Sequence, residues 1–179
     1  MVRRLSALLV IACTAGLGAA VVANARNERL RIPAARIPAI PVEAASGPRC
    51  PIPEIWRPAF ERASRETQLP LALLTAVGRV ESEVQPHARS AAGARGLLQV
   101  MPTTAGELEL DADHPVENVL AGSRYLRLLV ERFRSSDLAL AAYNAGPTAV
   151  VESGGAPGGE TLTYVADVTS IWRSLAGCT

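Results

Sequence analysis

The chain contains no lysine, and all 18 of its basic residues are arginines. Together with 17 acidic residues they leave a formal net charge of only +1 over 179 residues, and the arginines are scattered along the sequence. Proteins that bind nucleic acid usually carry a basic patch or stripe on one face. The composition therefore gives no indication of a nucleic-acid partner.

Histidine and cysteine are also scarce. The two histidines, His87 and His114, stand far apart in the sequence, and the three cysteines are not clustered. A structural or catalytic zinc site draws three or four such ligands from closely spaced positions. The sequence offers no plausible ligand set, so we expect no metal site.

Aromatic residues make up only 4% of the chain, whereas 49% of its residues are hydrophobic. The core must therefore be built mainly from Leu, Val, Ile and Ala. No stretch shows the alternation of apolar and polar residues that is typical of strands, and several stretches repeat apolar residues at helical spacing. This pattern predicts a mainly α domain with little or no sheet. Several short helices should surround one long helix, which starts at Pro115 and buries Val116.

Two of the shorter helices can be placed from their apolar stripes. The first spans residues 53–67 and should place Ile55 on its inner face. A later helix spans residues 138–143. Ser136 or Asp137 is expected to cap its N-terminus, because their side chains can accept a hydrogen bond from a free backbone N–H of the first turn.

The first 25 residues have the features of a signal peptide. Arg3 and Arg4 form a basic start, residues 5–22 are nearly free of polar groups, and Ala23-Asn24-Ala25 offers the small-x-small pattern of a cleavage site. Two alternatives stay open. The apolar run is just long enough to span a bilayer if it is not cleaved, and Cys13 lies in a sequence that resembles a lipoprotein processing site. All three predict export from the cytoplasm.

Residues 26–49 contain four prolines, which bias the backbone toward extended conformations. We interpret this segment as a semi-rigid tether, followed by one folded domain over residues 50–179. The domain has one cysteine near each end, Cys50 and Cys178. An even pair in an oxidising compartment favours a disulfide, and two free surface thiols are the alternative.

A helix over residues 70–83 places Leu74 and Glu81 on the same apolar face. A carboxyl buried there without a cationic partner should have a raised pKa and could donate a proton near neutral pH. Glu81 is therefore a candidate general acid. The alternative is that it caps the helix or pairs with an arginine such as Arg89 or Arg95.

Five stretches in order resemble the motifs of the lytic transglycosylase family, whose domain is related to goose-type lysozyme. They are ES at 81–82, GARGLLQVMP at 93–102, ENVLAGSRYL at 117–126, ALAAYNAGP at 139–147 and ETLTYVADV at 160–168. The resemblance covers about residues 55–175 and implies a lysozyme-like fold. One departure is VQPH at 84–87, where the family often has an aromatic residue or glycine followed by Asn-Pro.

The resemblance also implies roles for individual residues. Glu81 matches the family's lone catalytic acid, which protonates the glycosidic oxygen and then serves as a base. The residues that match substrate-binding positions are Ser90, Gln99, Met101, Tyr143, Asn144, Glu160 and Tyr164, and Asn118 matches a structural asparagine. Each also has a simpler interpretation, since Ser90 and Gln99 could be ordinary polar loop residues and Met101 could fill the core.

The implied reaction cleaves peptidoglycan between N-acetylmuramic acid and N-acetylglucosamine. The muramoyl C6 hydroxyl closes on C1 and leaves a 1,6-anhydro end, so no cofactor is expected. One alternative is a muramidase that uses water, and another is a non-catalytic module of an envelope-spanning secretion or conjugation apparatus. We expect an exported, periplasmic monomer that binds glycan strands and contacts a membrane only through an uncleaved N-terminal segment.

Overall fold

The computed structural model describes residues 47–179. The predicted leader at 1–25, lipidation at Cys13 and most of the predicted tether at 26–49 lie outside the described residues, so they stay predictions. Within residues 47–179, every helix is too short or too polar to cross a membrane.

Residues 47–179 form seven helices, and the longest of them is central to the packing. The helices are α1 (Arg57–Thr67), α2 (Leu71–Ser82), α3 (Pro102–Glu107), α4 (Pro115–Phe133), α5 (Ser136–Ala145), α6 (Pro147–Ser153) and α7 (Gly159–Ser174). Helix α4 packs against α1, α3 and α5, while α7 packs against α2 and α5. In this part of the chain, strand-like pairing is limited to isolated bridges within the loop before α3. The predicted mainly α fold around one long helix is confirmed.

Prolines stand at the start of four of these helices. Pro58, Pro102, Pro115 and Pro147 occupy the first or second position of α1, α3, α4 and α6. At these positions the backbone N–H has no partner within the helix, so proline loses no hydrogen bond there, and its fixed φ already suits a helix. The start of the long helix at Pro115 is therefore confirmed.

The cap of α5 differs from the prediction. Ser135 has extended backbone angles, φ −143° and ψ 128°, and its side chain accepts a hydrogen bond from the N–H of Leu138. Ser136 and Asp137 lie inside the first turn of the helix. Placing the cap at Ser136 or Asp137 was wrong by one or two residues, because an N-cap residue must keep non-helical backbone angles.

The core is largely aliphatic, as the low aromatic content predicts. Its largest fully buried side chains include those of Phe60, Leu74, Leu97, Leu98, Leu126 and Leu140. Two residues that were expected to face this core are exposed instead. Ile55 is 74% exposed because α1 begins only at Arg57. Val116 is 39% exposed because it lies in the first turn of α4, where it lines a surface pocket beside α1.

A disulfide joins Cys50 to Cys178, as the pairing argument predicted, with their Cα atoms 4.9 Å apart. The alternative of two free thiols is therefore wrong. Backbone hydrogen bonds reinforce the junction, since the N–H of Cys50 donates to the carbonyl of Thr179 over 3.0 Å and the N–H of Thr179 donates to the carbonyl of Pro48 over 2.9 Å. The two ends of the domain are thus fixed to each other.

Candidate active site

Glu81 lies in the last turn of α2, on the side of the helix that faces α7. The hydroxyl of Tyr164, on α7, donates a hydrogen bond to Oε1 of Glu81 over 2.6 Å. The two residues are 83 positions apart in sequence, and they meet because α2 and α7 pack against each other. The carboxyl of Glu81 is therefore held by a neutral partner.

Burial raises the pKa of Glu81 from its ordinary value of 4.5 to about 7, and the hydrogen bond from Tyr164 opposes this only in part. The arginines that were considered as alternative partners pair elsewhere. Arg89 and Arg95 both bind the carboxylate of Asp113. The expected rise in pKa is confirmed, and pairing of Glu81 with Arg89 or Arg95 is contradicted.

This pKa should make the stability of the protein depend on pH. Because the folded state binds the Glu81 proton more tightly than the unfolded state does, the stabilisation is complete below about pH 4.5 and is lost as the pH rises to about 7. The loss should be at most about 3 kcal/mol. Denaturant unfolding of wild type and Glu81→Gln at about pH 4 and about pH 8 measures it. The free energy of unfolding of the variant should rise relative to that of wild type as the pH rises. Parallel pH dependences of the two proteins would contradict the raised pKa of Glu81.

Tyr143 provides a second buried hydroxyl close to Glu81. It projects from α5 and donates a hydrogen bond to the carbonyl of Leu98 over 2.8 Å. Burial raises the pKa of Tyr143 well above its ordinary value, and the negative charge of Glu81 raises it further. The same two causes raise the pKa of Tyr164. Both hydroxyls therefore keep their protons and act as neutral groups beside the carboxyl.

The loop between α2 and α3 is held by Gln99 and Ser90. The side-chain Nε2 of Gln99 donates to the carbonyls of Gly96, over 2.9 Å, and Ala88, over 3.2 Å. The hydroxyl of Ser90 accepts a hydrogen bond from the N–H of Ala94 over 3.0 Å. Gln99 and Ser90 thus stabilise the conformation of the loop.

Asn118 fixes the same loop from the first turns of α4. Its side chain is fully buried, and its Oδ1 accepts a hydrogen bond from the N–H of Leu98. Its Nδ2 donates to the carbonyls of Arg95 and Ala112. Gly96 crosses directly over this amide, where a Cβ atom would lie 2.6 Å from the side chain of Asn118. The structural role expected for Asn118 is confirmed.

A cleft of about 240 Å³ opens beside Tyr143. Four of the residues that were matched to substrate binding share its lining, namely Gln99, Met101, Tyr143 and Asn144. Met101 is 40% exposed, so its interpretation as core filler is wrong. Asn144 is oriented by Thr161 on α7, whose hydroxyl donates to Oδ1 of Asn144 over 2.9 Å. The fold therefore gathers these residues of the GARGLLQVMP and ALAAYNAGP motifs around one opening.

Four predicted site residues do not line this cleft: Glu81 and Tyr164, which form their own pair, and Ser90 and Glu160. Ser90 is exposed and makes its contacts within its own loop. Glu160 is exposed in the first turn of α7, and within residues 47–179 no hydrogen bond or ion pair links it to another side chain. Glu160 nevertheless lies one turn before Tyr164, so it shares the face of α7 that carries this tyrosine.

Comparison with known proteins identifies the family. The sequence profile of the transglycosylase SLT domain matches residues 58–161, which is more than half of the chain. The chain belongs to the SLT transglycosylase family. The resemblance that was predicted from the five motifs is therefore confirmed, and so is the lysozyme-like fold.

Two curated relatives illustrate the range of SLT transglycosylases to which the chain is similar. Membrane-bound lytic murein transglycosylase F 2 of Alkalilimnicola ehrlichii is 39% identical over 95 residues, which are 49% of this chain and 21% of the relative. The transglycosylase of Enterobacteria phage PRD1 is 35% identical over 92 residues, which are 51% of this chain and 35% of the relative. The chain thus spans about a fifth to a third of the length of these relatives.

Solved structures of SLT transglycosylases show the same fold. The lytic transglycosylase Slt of Pseudomonas aeruginosa, solved as an inactive glutamate-to-glutamine mutant, superposes with a TM-score of 0.61 at 28% identity, covering 72% of this chain and 25% of that one. The 70 kDa soluble lytic transglycosylase of Escherichia coli superposes with a TM-score of 0.59 at 28% identity, covering 69% and 25%. The similarity extends over most of the described domain.

Tyr125 also lines the cleft, although sequence reasoning gave it no role. Its ring packs against that of Tyr143, with the centroids 5.5 Å apart and the planes inclined by 45°. A signal was present, because Tyr125 lies within the ENVLAGSRYL motif of this SLT domain.

Proposed function

We propose that this chain is a lytic transglycosylase that cleaves peptidoglycan with Glu81 as its general acid and then its base. The observation that supports this most directly is the half-buried Glu81 carboxyl, with a pKa raised to about 7 and a hydrogen bond from Tyr164. A group with such a pKa is present in both its acid and base forms at neutral pH. That suits an enzyme in which one residue must first donate and then accept a proton.

In the proposed reaction, the Glu81 proton moves to the glycosidic oxygen between N-acetylmuramic acid and N-acetylglucosamine. The bond between this oxygen and the muramoyl C1 breaks, and positive charge builds up on the sugar ring. The muramoyl C6 hydroxyl bonds to C1 and passes its proton to the Glu81 carboxylate. The products are a 1,6-anhydromuramoyl end and a free N-acetylglucosamine 4-hydroxyl, and Glu81 regains its proton without consuming water.

The surroundings of Glu81 favour this intramolecular route over a mechanism with two carboxylates. Glycosidases that use water or a covalent intermediate place a second acidic residue within about 5–10 Å of the first. The aspartates of residues 47–179 are all exposed, as are Glu83 and Glu160, and within these residues no hydrogen bond joins Glu81 to another carboxyl group. The side chain that donates a hydrogen bond to Glu81 is that of Tyr164, and the charge of Glu81 raises the pKa of Tyr143. A nucleophile supplied by the substrate itself fits this arrangement.

Mass spectrometry of the soluble products from purified peptidoglycan tests the proposal. A lytic transglycosylase should release muropeptides that end in 1,6-anhydromuramic acid, each lighter by one water molecule than the corresponding hydrolysis product. Reducing muramic acid ends would identify a hydrolytic muramidase instead. An unaltered glycan, under conditions in which the chain is folded, would reject both enzymatic activities.

We further propose that the protein works outside the cytoplasm, in the periplasm. The disulfide between Cys50 and Cys178 supports this location, because such bonds persist mainly in oxidising compartments. The proposed substrate lies in the same compartment. One similar protein is named as membrane-bound and another comes from a phage. Attachment of this chain to a membrane or to a larger envelope apparatus is compatible with both.

A further inference from the structure

The first turn of α7 has few contacts that fix it to the rest of the domain. It follows the glycine-rich segment GGAPGG at 154–159, and among residues 47–179 no side chain caps its N-terminus. Gly159, Glu160 and Leu162 are exposed, whereas Thr161 is only 5% exposed. Thr161 is therefore the residue through which this turn packs against the fold.

The hydroxyl of Thr161 joins α7 to the end of α5. It donates a hydrogen bond to Oδ1 of Asn144 over 2.9 Å, across 17 positions of sequence. Within the described part of the chain, this is the one side-chain hydrogen bond between the two helices. Asn144 lies in the last turn of α5, directly after Tyr143. The bond therefore fixes the first turn of α7 next to the tyrosine of α5.

The two tyrosines beside Glu81 lie on the two helices that this bond joins. Thr161 and Tyr164 are three positions apart, so they share one face of α7. The Tyr164 hydroxyl donates to Oε1 of Glu81 over 2.6 Å, and Tyr143 lies close enough for the charge of Glu81 to raise its pKa. A hydrogen bond weakens steeply when its donor is displaced or its angle narrows. A small shift of α7 would therefore weaken the contact between Tyr164 and Glu81.

We propose that Thr161 is a positioning residue that holds α7 against α5 and thereby aligns the Tyr164 hydroxyl with the Glu81 carboxyl. The proposal rests on the proposed function, because the alignment matters through proton transfer at Glu81. Thr161 acts through Tyr164 and forms no hydrogen bond with the carboxyl itself. Its effect should therefore fall on kcat and on the pH dependence of kcat, while the strand is bound as in wild type.

Steady-state kinetics of Thr161→Val on peptidoglycan strands test this inference, at a temperature at which circular dichroism shows each variant to be folded. Valine has nearly the same shape but cannot donate a hydrogen bond. We expect kcat to fall about 3- to 10-fold, the usual contribution of one neutral hydrogen bond, with KM within about twofold of wild type. Thr161→Ser keeps the hydroxyl and should return kcat to within about twofold.

The pH profile of kcat is the readout that a merely structural role would not change. The hydrogen bond from Tyr164 lowers the pKa of Glu81, so weakening this bond should raise that pKa. Because the proposed reaction begins with protonated Glu81, the decline of kcat at high pH should move to higher pH in Thr161→Val. Asn144 is exposed, so Asn144→Ala removes the acceptor without disturbing the core and should move the decline in the same direction.

Thr163→Val is the matched control. Thr163 lies on the same helix, is exposed, and donates to the carbonyl of Gly159 over 2.9 Å. The same chemical change there should leave kcat and its pH profile as in wild type. A double-mutant cycle tests the route of the effect, because Tyr164→Phe already lacks the bond to Glu81. In that background Thr161→Val should cause no further fall in kcat.

Three results would overturn the inference and leave the proposed function intact. One is a wild-type kcat and pH profile in Thr161→Val. Another is a rise in KM at unchanged kcat, which would show that Thr161 acts only on Asn144. The third is a fall in kcat of the same size with and without Tyr164→Phe, since Thr161 would then act independently of Tyr164. A wild-type protein that cleaves no strand would instead reject the proposed function and this inference with it.

Discussion

Replacing Glu81 with glutamine should lower the rate of glycan cleavage by about 10²- to 10⁴-fold, the usual contribution of a general acid or base. Glutamine keeps the shape of the side chain and can still accept the hydrogen bond from Tyr164, but it has no proton to donate at the glycosidic oxygen. The loss should appear in kcat, since binding of the strand is preserved. Release of anhydromuropeptides over time, followed by chromatography, measures the effect.

Glu83→Gln is the matched control for this experiment. Glu83 follows Glu81 by two residues, is exposed and caps the end of α2 with a left-handed backbone. The same chemical change at this position should leave the rate within about twofold of wild type. A Glu81→Gln variant that stays fully active would rule out the proposed acid. A chain whose effect on the cell envelope is unaltered by the substitution would instead be a non-catalytic module.

Removing the disulfide should have the largest effect on stability. The bond between Cys50 and Cys178 closes a loop with a sequence separation of 128 residues. Chain-entropy arguments assign about 4–5 kcal/mol to a loop of this length, as an upper figure. The double variant Cys50→Ser, Cys178→Ser should therefore unfold at a temperature roughly 10–20 °C lower. Thermal unfolding followed by circular dichroism under non-reducing conditions measures the change.

Reducing the bond in wild type separates the loss of the bond from any effect of the serine substitutions themselves. Wild type treated with a reductant should approach the double variant. Unfolding temperatures that agree within about 2 °C for untreated wild type, reduced wild type and the double variant would contradict the prediction. They would show that the backbone hydrogen bonds around Pro48 and Thr179 are sufficient to hold the two ends of the domain together.

The parts of this domain that sequence predicted well depend on local rules. Helical spacing located the long helix at Pro115 and the apolar face that carries Glu81, and that face accounts for the raised pKa of the carboxyl. The errors at Ile55 and at the cap of α5 are also local. In both cases the apolar or capping pattern extended beyond the true helix, and the backbone angles at the boundary decided the outcome.

The contacts that define the site could not be derived from local patterns. Tyr164 reaches Glu81 across 83 residues, and Tyr143 reaches the carbonyl of Leu98 across 45 residues. Such pairs depend on how the helices pack, which helical spacing in one segment does not determine. The family motifs supplied the identity of these residues, but they did not supply their partners. Tyr125 was missed for the same reason, because its neighbour Tyr143 belongs to another helix.

Asn118 has a consequence for how this domain can diverge. Its amide supplies two donors and one acceptor to three separate backbone groups, and Gly96 lies against it with no spare room. Aspartate would lose both donors, leucine would lose all three contacts, and glutamine would be too long for the space. No common residue can take over the role, so mutations at position 118 should be purged during evolution, while the exposed Ala91 and Ala92 at the tip of the loop can vary.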